Sequence, residues 1–152
     1  MVRTIEYTNG IVRMIDQTRL PVEEIYVECH DYKSVSDAIR NMLIRGAPAI
    51  GVAAAMGVSL GANKINADSY ESFLLEFQQI CDELAGSRPT AVNLFWAISK
   101  MKKVTEDNND KTVDEIKKML KDEAIKIWKE DIAINKSIGK HGQELIKDGD
   151  TI

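Results

Sequence analysis

Two short stretches place an arginine just ahead of a proline that can open a helix: Arg45-Gly46-Ala47-Pro48 and Arg88-Pro89-Thr90. Proline cannot continue a helix but suits its first turn, so each stretch reads as a joint whose next residues begin a new helix. The first N–H groups of a helix have no intrahelical partners, and with the helix dipole they attract anions. A guanidinium beside them adds a planar, permanently charged fork suited to phosphate. Gly46 lets a ligand come close to the backbone. The competing reading is an ordinary ion pair between each arginine and a surface carboxylate.

Nothing that would transform a bound anion accompanies these grips. The chain shows no Ser-His-Asp arrangement and no glycine-rich nucleotide loop. His30 and His141 are too few and too far apart for a metal site, and Cys29 and Cys81 have no metal-ligand spacing. Both cysteines sit among periodic apolar residues and read as buried free thiols of a reducing compartment. Asp16, in "IDQTRLP", reads as a turn residue after a strand.

The elements that must carry the joints are legible in outline. Asn9-Gly10 between two β-rich runs predicts a hairpin, and "EIYVEC", with Ile25, Val27 and Cys29 on one face, adds a third antiparallel strand. From Ser34 the period becomes helical: Val35, Ala38, Ile39, Met42 and Leu43 share a face, Ser34 with Asp37 reads as a capping box, and the helix is expected to end near Arg45. A second helix opens at Ala47 or Pro48. A third runs from about Ser69 to Ala85 on a stripe of Tyr70, Phe73, Leu74, Phe77, Ile80, Cys81 and Leu84, with Gly86 at its C-cap. The fourth begins at the second joint, carries Leu94, Phe95, Ile98 and Met101, and ends with Lys100, Lys102 and Lys103 before a polar "TEDNND" loop. Thr112 and Glu115 cap a fifth through Ile116, Leu120, Ile127 and Trp128, which Gly139 and Gly142 are expected to break; a last helical turn, a loop and the start of a strand follow. The fold class is α+β: a three-stranded meander, then a helical bundle.

The stretch from Gly46 to Asn63 carries no charge. It falls short of the roughly 18 apolar residues of a membrane span and contains Gly51, Gly57, Ser59 and Gly61. It reads instead as the central helix of a bundle, apolar on all sides. The length of 152 residues, 44% hydrophobic and 29% charged, suits one folded domain. A net charge of −4 argues against nucleic-acid binding, and the lysines between Lys100 and Lys147 alternate with acids as on a solvated face. The start, "MVRTIEYTNG", has no apolar signal core, so a secretion signal is not expected.

The segments "IDQTRLP", "IRGAPAIGVAAAMGVSL", "SRPTAVNLFWAI" and "NKSIGKHGQELIKDGDTI" resemble the N-terminal part of the methylthioribose-1-phosphate isomerase family of methionine salvage. The wider group includes ribose-1,5-bisphosphate isomerases and regulatory subunits of the exchange factor for eukaryotic initiation factor two. "RGAPAIG", with Pro48, favours the methylthioribose branch. The resemblance implies a meander-and-helix domain, residues 1–147, followed from about 148 by the start of a Rossmann-like domain. It also implies a cytoplasmic homodimer performing an aldose–ketose isomerisation on a sugar phosphate, with no metal, nucleotide, membrane or nucleic-acid partner. Arg45, Gly46 and Ala47 match the family's first substrate-binding segment, and Arg88 a second substrate contact. The family's catalytic cysteine and aspartate correspond to positions beyond 152, so no residue of this chain is expected to be catalytic. The alternatives are a regulatory, sugar-phosphate-sensing module of the initiation-factor kind and a related sugar-1-phosphate isomerase.

Overall fold

The structure is a computed structural model that describes residues 3–151. Three antiparallel strands, β1 (Ile5–Thr8), β2 (Ile11–Ile15) and β3 (Tyr26–Cys29), form a sheet in the order β1-β2-β3. Asn9 (φ 53) and Gly10 (φ 75) are both left-handed, the backbone a two-residue hairpin of this twist requires. Val12 and Met14 of β2 are fully buried, and Arg13 between them lies over the Tyr26 ring, 4.1 Å from its centroid. Ile25 falls before β3 and is exposed, so of the expected apolar face Val27 and Cys29 lie in the strand, with Cys29 fully buried.

Five helices follow: α1 (Tyr32–Arg40), α2 (Ala47–Lys64), α3 (Tyr70–Ser87), α4 (Val92–Glu106) and α5 (Val113–Gln143). Every residue of α2 from Ile50 to Ala62 is buried. The other four helices and the sheet surround it, so the uncharged stretch is the hub of the core. Among the described residues no helix is long and apolar enough to cross a membrane. Small residues let neighbours approach: a Cβ on Gly57 would lie 3.0 Å from Val35 of α1 and 3.1 Å from Leu84 of α3. Phe73 and Phe77 of α3 stack at 5.5 Å within this core.

Several boundaries differ from the sequence reading, each for a local reason. The capping box of α1 is Asp31 with Ser34, one turn earlier than expected: Ser34 N–H donates to Asp31 Oδ1 at 2.7 Å and Asp31 N–H to Ser34 Oγ at 3.3 Å. The helix stops at Arg40 because Met42 turns left-handed (φ 60), with Met42 N–H donating to Ile39 O and Leu43 N–H to Ala38 O. That pair of bonds closes a helix in the Schellman manner, here without the usual glycine, so Met42 leaves the helical face and is exposed.

Further along, Gly86 lies inside α3, whose C-cap is Arg88. Leu74 and Phe95 are part exposed, on the flanks of their stripes. Thr105 and Glu106 belong to α4 rather than to the loop, Thr105 being buried with its hydroxyl donating to Lys102 O at 2.7 Å. Gly139 and Gly142 do not break α5, since a helix tolerates glycine at a cost of about 1 kcal/mol and α5 runs to Gln143. The expected strand start at Ile152 lies outside the described residues.

The Asp31 cap yields a stability test. The Ser34 N–H, then the Ser34 hydroxyl, hold the Asp31 carboxyl below the usual aspartate range. A depressed carboxyl stabilises the fold above its unfolded pKa, and the contribution disappears as pH falls through the lower folded value. Asp31→Ala should therefore cost about 1 kcal/mol at neutral pH, with the gap to the parent narrowing below the usual aspartate range. Urea unfolding of both proteins at neutral and acidic pH measures this; a gap independent of pH contradicts it.

Candidate functional site

The first joint is held from two sides. Ile44 is fully buried while Arg45 points outward, so the segment is anchored by its apolar neighbour. From the β2–β3 connection, Gln17 N–H donates to Leu43 O at 2.9 Å and Gln17 Nε2 to Arg45 O at 3.3 Å. Gly46 follows at φ 93, a conformation side chains rarely adopt, and serves as the N-cap of α2 with no side-chain cap bond. Among the described residues the N–H groups of Ala47 and Ala49 have no partner, and Pro48 has no N–H to offer.

The second joint repeats the design with a different backbone. α3 ends at buried Ser87, and half-buried Arg88 follows as its C-cap, outside the helical conformation, with its carbonyl accepting from Ala91 N–H at 3.0 Å. Ala91 is the N-cap of α4, again without a side-chain bond, and the N–H groups of Val92 and Asn93 have no partner among the described residues. The remaining helices are treated differently. Asp31 with Ser34, Ser69 with Ser72, and Thr112 with Glu115 close α1, α3 and α5 with reciprocal capping boxes. Donors are left open at the starts of α2 and α4, the two helices that follow the arginine joints.

Packing registers put both open starts at one end of the bundle. A Cβ on Gly61 would meet Ile80, and one on Gly57 would meet Leu84, so α3 runs antiparallel to α2. Arg88, one turn beyond Leu84, therefore emerges toward the end where α2 begins. The first turn of α4 lies against the second turn of α2: a Cβ on Gly51 would stand 3.0 Å from Asn93 O. Thus Arg45, Gly46 and Ala47 on one side and Arg88 on the other flank neighbouring helix starts.

Ion pairing separates these arginines from the rest. Arg3 and Arg13 pair with Glu6, Arg19 with Glu23, and Arg40 with Asp37 and Glu83. Among the described residues Arg45 and Arg88 pair with no carboxylate and their side chains make no hydrogen bond.

The other candidates resolve as structural. Asp16 Oδ1 accepts from Thr18 N–H at 2.9 Å and from the Thr18 hydroxyl, which makes it a turn residue. Cys29 and Cys81 are free and fully buried. Burial pushes both thiols up, Cys81 to about 12, and a thiol kept protonated in an apolar core is inert. No cluster of three or more His, Cys, Asp or Glu that could hold a metal ion occurs among the described residues.

Two features of the site escaped the sequence reading. Gln17 reaches the first joint across 28 positions, a contact no local pattern signals. The open helix starts did have a signal: Gly46 and Ala91 stand where a serine, threonine, aspartate or asparagine would normally cap.

Comparison with known proteins gives the chain's family. The profile of the initiation factor 2 subunit family matches residues 43–152. The methylthioribose-1-phosphate isomerase of Geobacter sulfurreducens is 59% identical over 150 residues, 99% of this chain and 43% of its own length. That of Acetivibrio thermocellus is 50% identical over 150 residues, 44% of its length. The chain thus spans less than half the length of the curated relatives it matches. Among solved structures, the 5-methylthioribose 1-phosphate isomerase of Pyrococcus horikoshii OT3 superposes with a TM-score of 0.93 at 42% identity, covering 98% of this chain and 42% of the other. The translation initiation factor eIF-2B subunit delta of A. fulgidus gives 0.88 at 35%, covering 99% and 43%. This chain belongs to the initiation factor 2 subunit family.

Proposed function

We propose that this chain is the substrate-phosphate-binding N-terminal domain of an aldose–ketose isomerase that converts 5-methylthioribose 1-phosphate to 5-methylthioribulose 1-phosphate. One observation carries the reading: the two arginines without carboxylate partners precede the two helices without side-chain caps, at one end of the bundle. Arg45 and Arg88 would supply the charged forks, while Gly46 and Ala47 would let the phosphate reach the open N–H groups. The names of the relatives supply the sugar.

The chemistry explains why an anchor is needed. Phosphate on the C1 oxygen prevents the ring from opening as a free hemiacetal does, so the substrate must be held while its C1–O bond to the ring is broken. A fixed phosphate keeps the reacting carbons in place beside the groups that act on them, so their proton transfers become effectively intramolecular. Aldose and ketose have the same oxidation level overall, so the balance calls for no external oxidant or reductant. The groups that move the hydrogen are proposed to lie in the part of the isomerase outside this segment; burial keeps the two thiols here protonated, which suits neither for that role. The complete enzyme is proposed to work as a homodimer in the cytoplasm, a reducing compartment that fits two unpaired cysteines.

The test is a graft. The chain joined to the remainder of the Geobacter sulfurreducens isomerase should isomerise methylthioribose 1-phosphate, while the chain alone should show no turnover. A folded but inactive graft beside an active parent enzyme overturns the assignment. Turnover by the chain alone overturns the placement of the chemistry. The likeness to the A. fulgidus initiation-factor subunit favours a second reading, a sugar-phosphate-sensing module; a graft that binds the substrate and leaves it unchanged would support it.

A further inference from the structure

The open start of α2 depends on a peptide that a single side chain holds. Gly46, at φ 93, is the N-cap of α2, and the Arg45–Gly46 peptide ahead of it is trans. In a trans peptide the carbonyl and the N–H point in opposite directions. Whichever way Arg45 O faces, the Gly46 N–H therefore faces the other way. Among the described residues Arg45 O accepts one hydrogen bond, from Gln17 Nε2 at 3.3 Å, and the Gly46 N–H has no partner.

Gln17 is itself built into place. Asp16 N–H donates to Ile25 O at 2.8 Å, and Asp16 Oδ1 accepts from Thr18 N–H at 2.9 Å and from the Thr18 hydroxyl, so the chain is fixed on both sides of Gln17. Its own N–H donates to Leu43 O at 2.9 Å, and its side chain is half-buried. Gln17 thus donates to two carbonyls, one by backbone and one by side chain, on either side of the buried Ile44.

Holding that carbonyl decides which group an anion meets. Glycine populates positive and negative φ about equally, and α2 has no side-chain cap bond to resist a turn of the peptide. A turned peptide would present Arg45 O at the helix start in place of the Gly46 N–H, an acceptor where an anion needs a donor. We propose that Gln17 is a positioning residue of the anion grip. By holding Arg45 O it turns the Gly46 N–H outward as a further donor to phosphate, beside the open N–H groups of Ala47 and Ala49. Gln17 acts through the peptide and not by touching the anion. The inference rests on the phosphate-binding reading and deepens it; it does not need the isomerisation.

Gln17→Met tests it, because methionine keeps the length of the side chain and the backbone bond to Leu43 but has no donor. In the graft described above, calorimetric titration with inorganic phosphate should show binding weakened by about 3- to 10-fold, the range for one neutral hydrogen bond. KM for methylthioribose 1-phosphate should rise by the same factor with kcat held, the mark of binding lost equally in ground and transition states. Glu23→Gln, in the same connection but away from the joint, should bind phosphate as the parent does. A merely structural Gln17 would lower the unfolding temperature and leave phosphate affinity unchanged, which overturns the proposal. Equal weakening by Glu23→Gln also overturns it. Unchanged affinity in an active graft sinks the positioning role and leaves the isomerase reading standing. Weakened phosphate binding in a graft without turnover does the reverse, and a folded graft that binds no phosphate removes both.

Discussion

Replacing Arg45 or Arg88 by alanine in the active graft should lower kcat/KM for methylthioribose 1-phosphate by roughly 10- to 150-fold each, equivalent to about 1.5–3 kcal/mol for hydrogen bonds to a charged group. Neither side chain supports the fold through an ion pair, so both variants should unfold at the parent temperature. Arg88→Lys keeps the charge and loses the planar fork, and should recover only part of the loss. If both arginines grip one phosphate, the double variant should fall short of the product of the singles, because partners that share a ligand are not independent. Steady-state kinetics with circular-dichroism melting decides the matter. Unchanged kinetics in both single variants would remove the phosphate grip from the account.

Gly61→Leu should lower stability by about 3 kcal/mol, the upper part of the range for overpacking, or roughly 6–12 °C in Tm for a domain of this size. Even a bare Cβ there would stand 2.8 Å from Ile80 Cγ2 and 2.9 Å from Cδ1. Isoleucine in a helix has one strongly preferred rotamer and cannot easily swing aside, and Ile80 is itself buried. Gly86→Ala is the matched control with the opposite sign. Its Cβ would meet nothing within 4 Å, and Gly86 lies within α3 rather than in a left-handed cap. Alanine should therefore stabilise by about 0.5–1 kcal/mol through backbone entropy and helix propensity. Thermal unfolding of both variants compares them directly. A destabilised Gly86→Ala would restore Gly86 as the C-cap, and an unmoved Gly61→Leu would take α2 out of the core.

What the sequence by itself determined is whatever depends on near neighbours. Asn9-Gly10 sets a hairpin because both residues tolerate left-handed backbone, and the structure has it. Thr112 caps α5 through a residue three positions away. Pro48 marks the start of α2, and the uncharged run behind it could only be a core helix. The arginines ahead of the prolines read as candidate anion grips because that chemistry, too, is local.

Where a helix ends, and what its uncovered faces meet, was decided by tertiary structure. α1 closes at Met42, a residue with no intrinsic preference for a left-handed backbone; Ile44 entering the core and Gln17 holding Leu43 and Arg45 compensate for the turn. Gly139 and Gly142 remain helical because the cost of glycine is small beside the cooperativity of a helix of 31 residues. Most of all, neither joint contains information about the other. Their meeting at one end of α2 follows from helix lengths and from glycines that admit Ile80, Leu84 and Asn93 to its surface. Such register is a sum of contacts distant in sequence, and only the packed chain contains it.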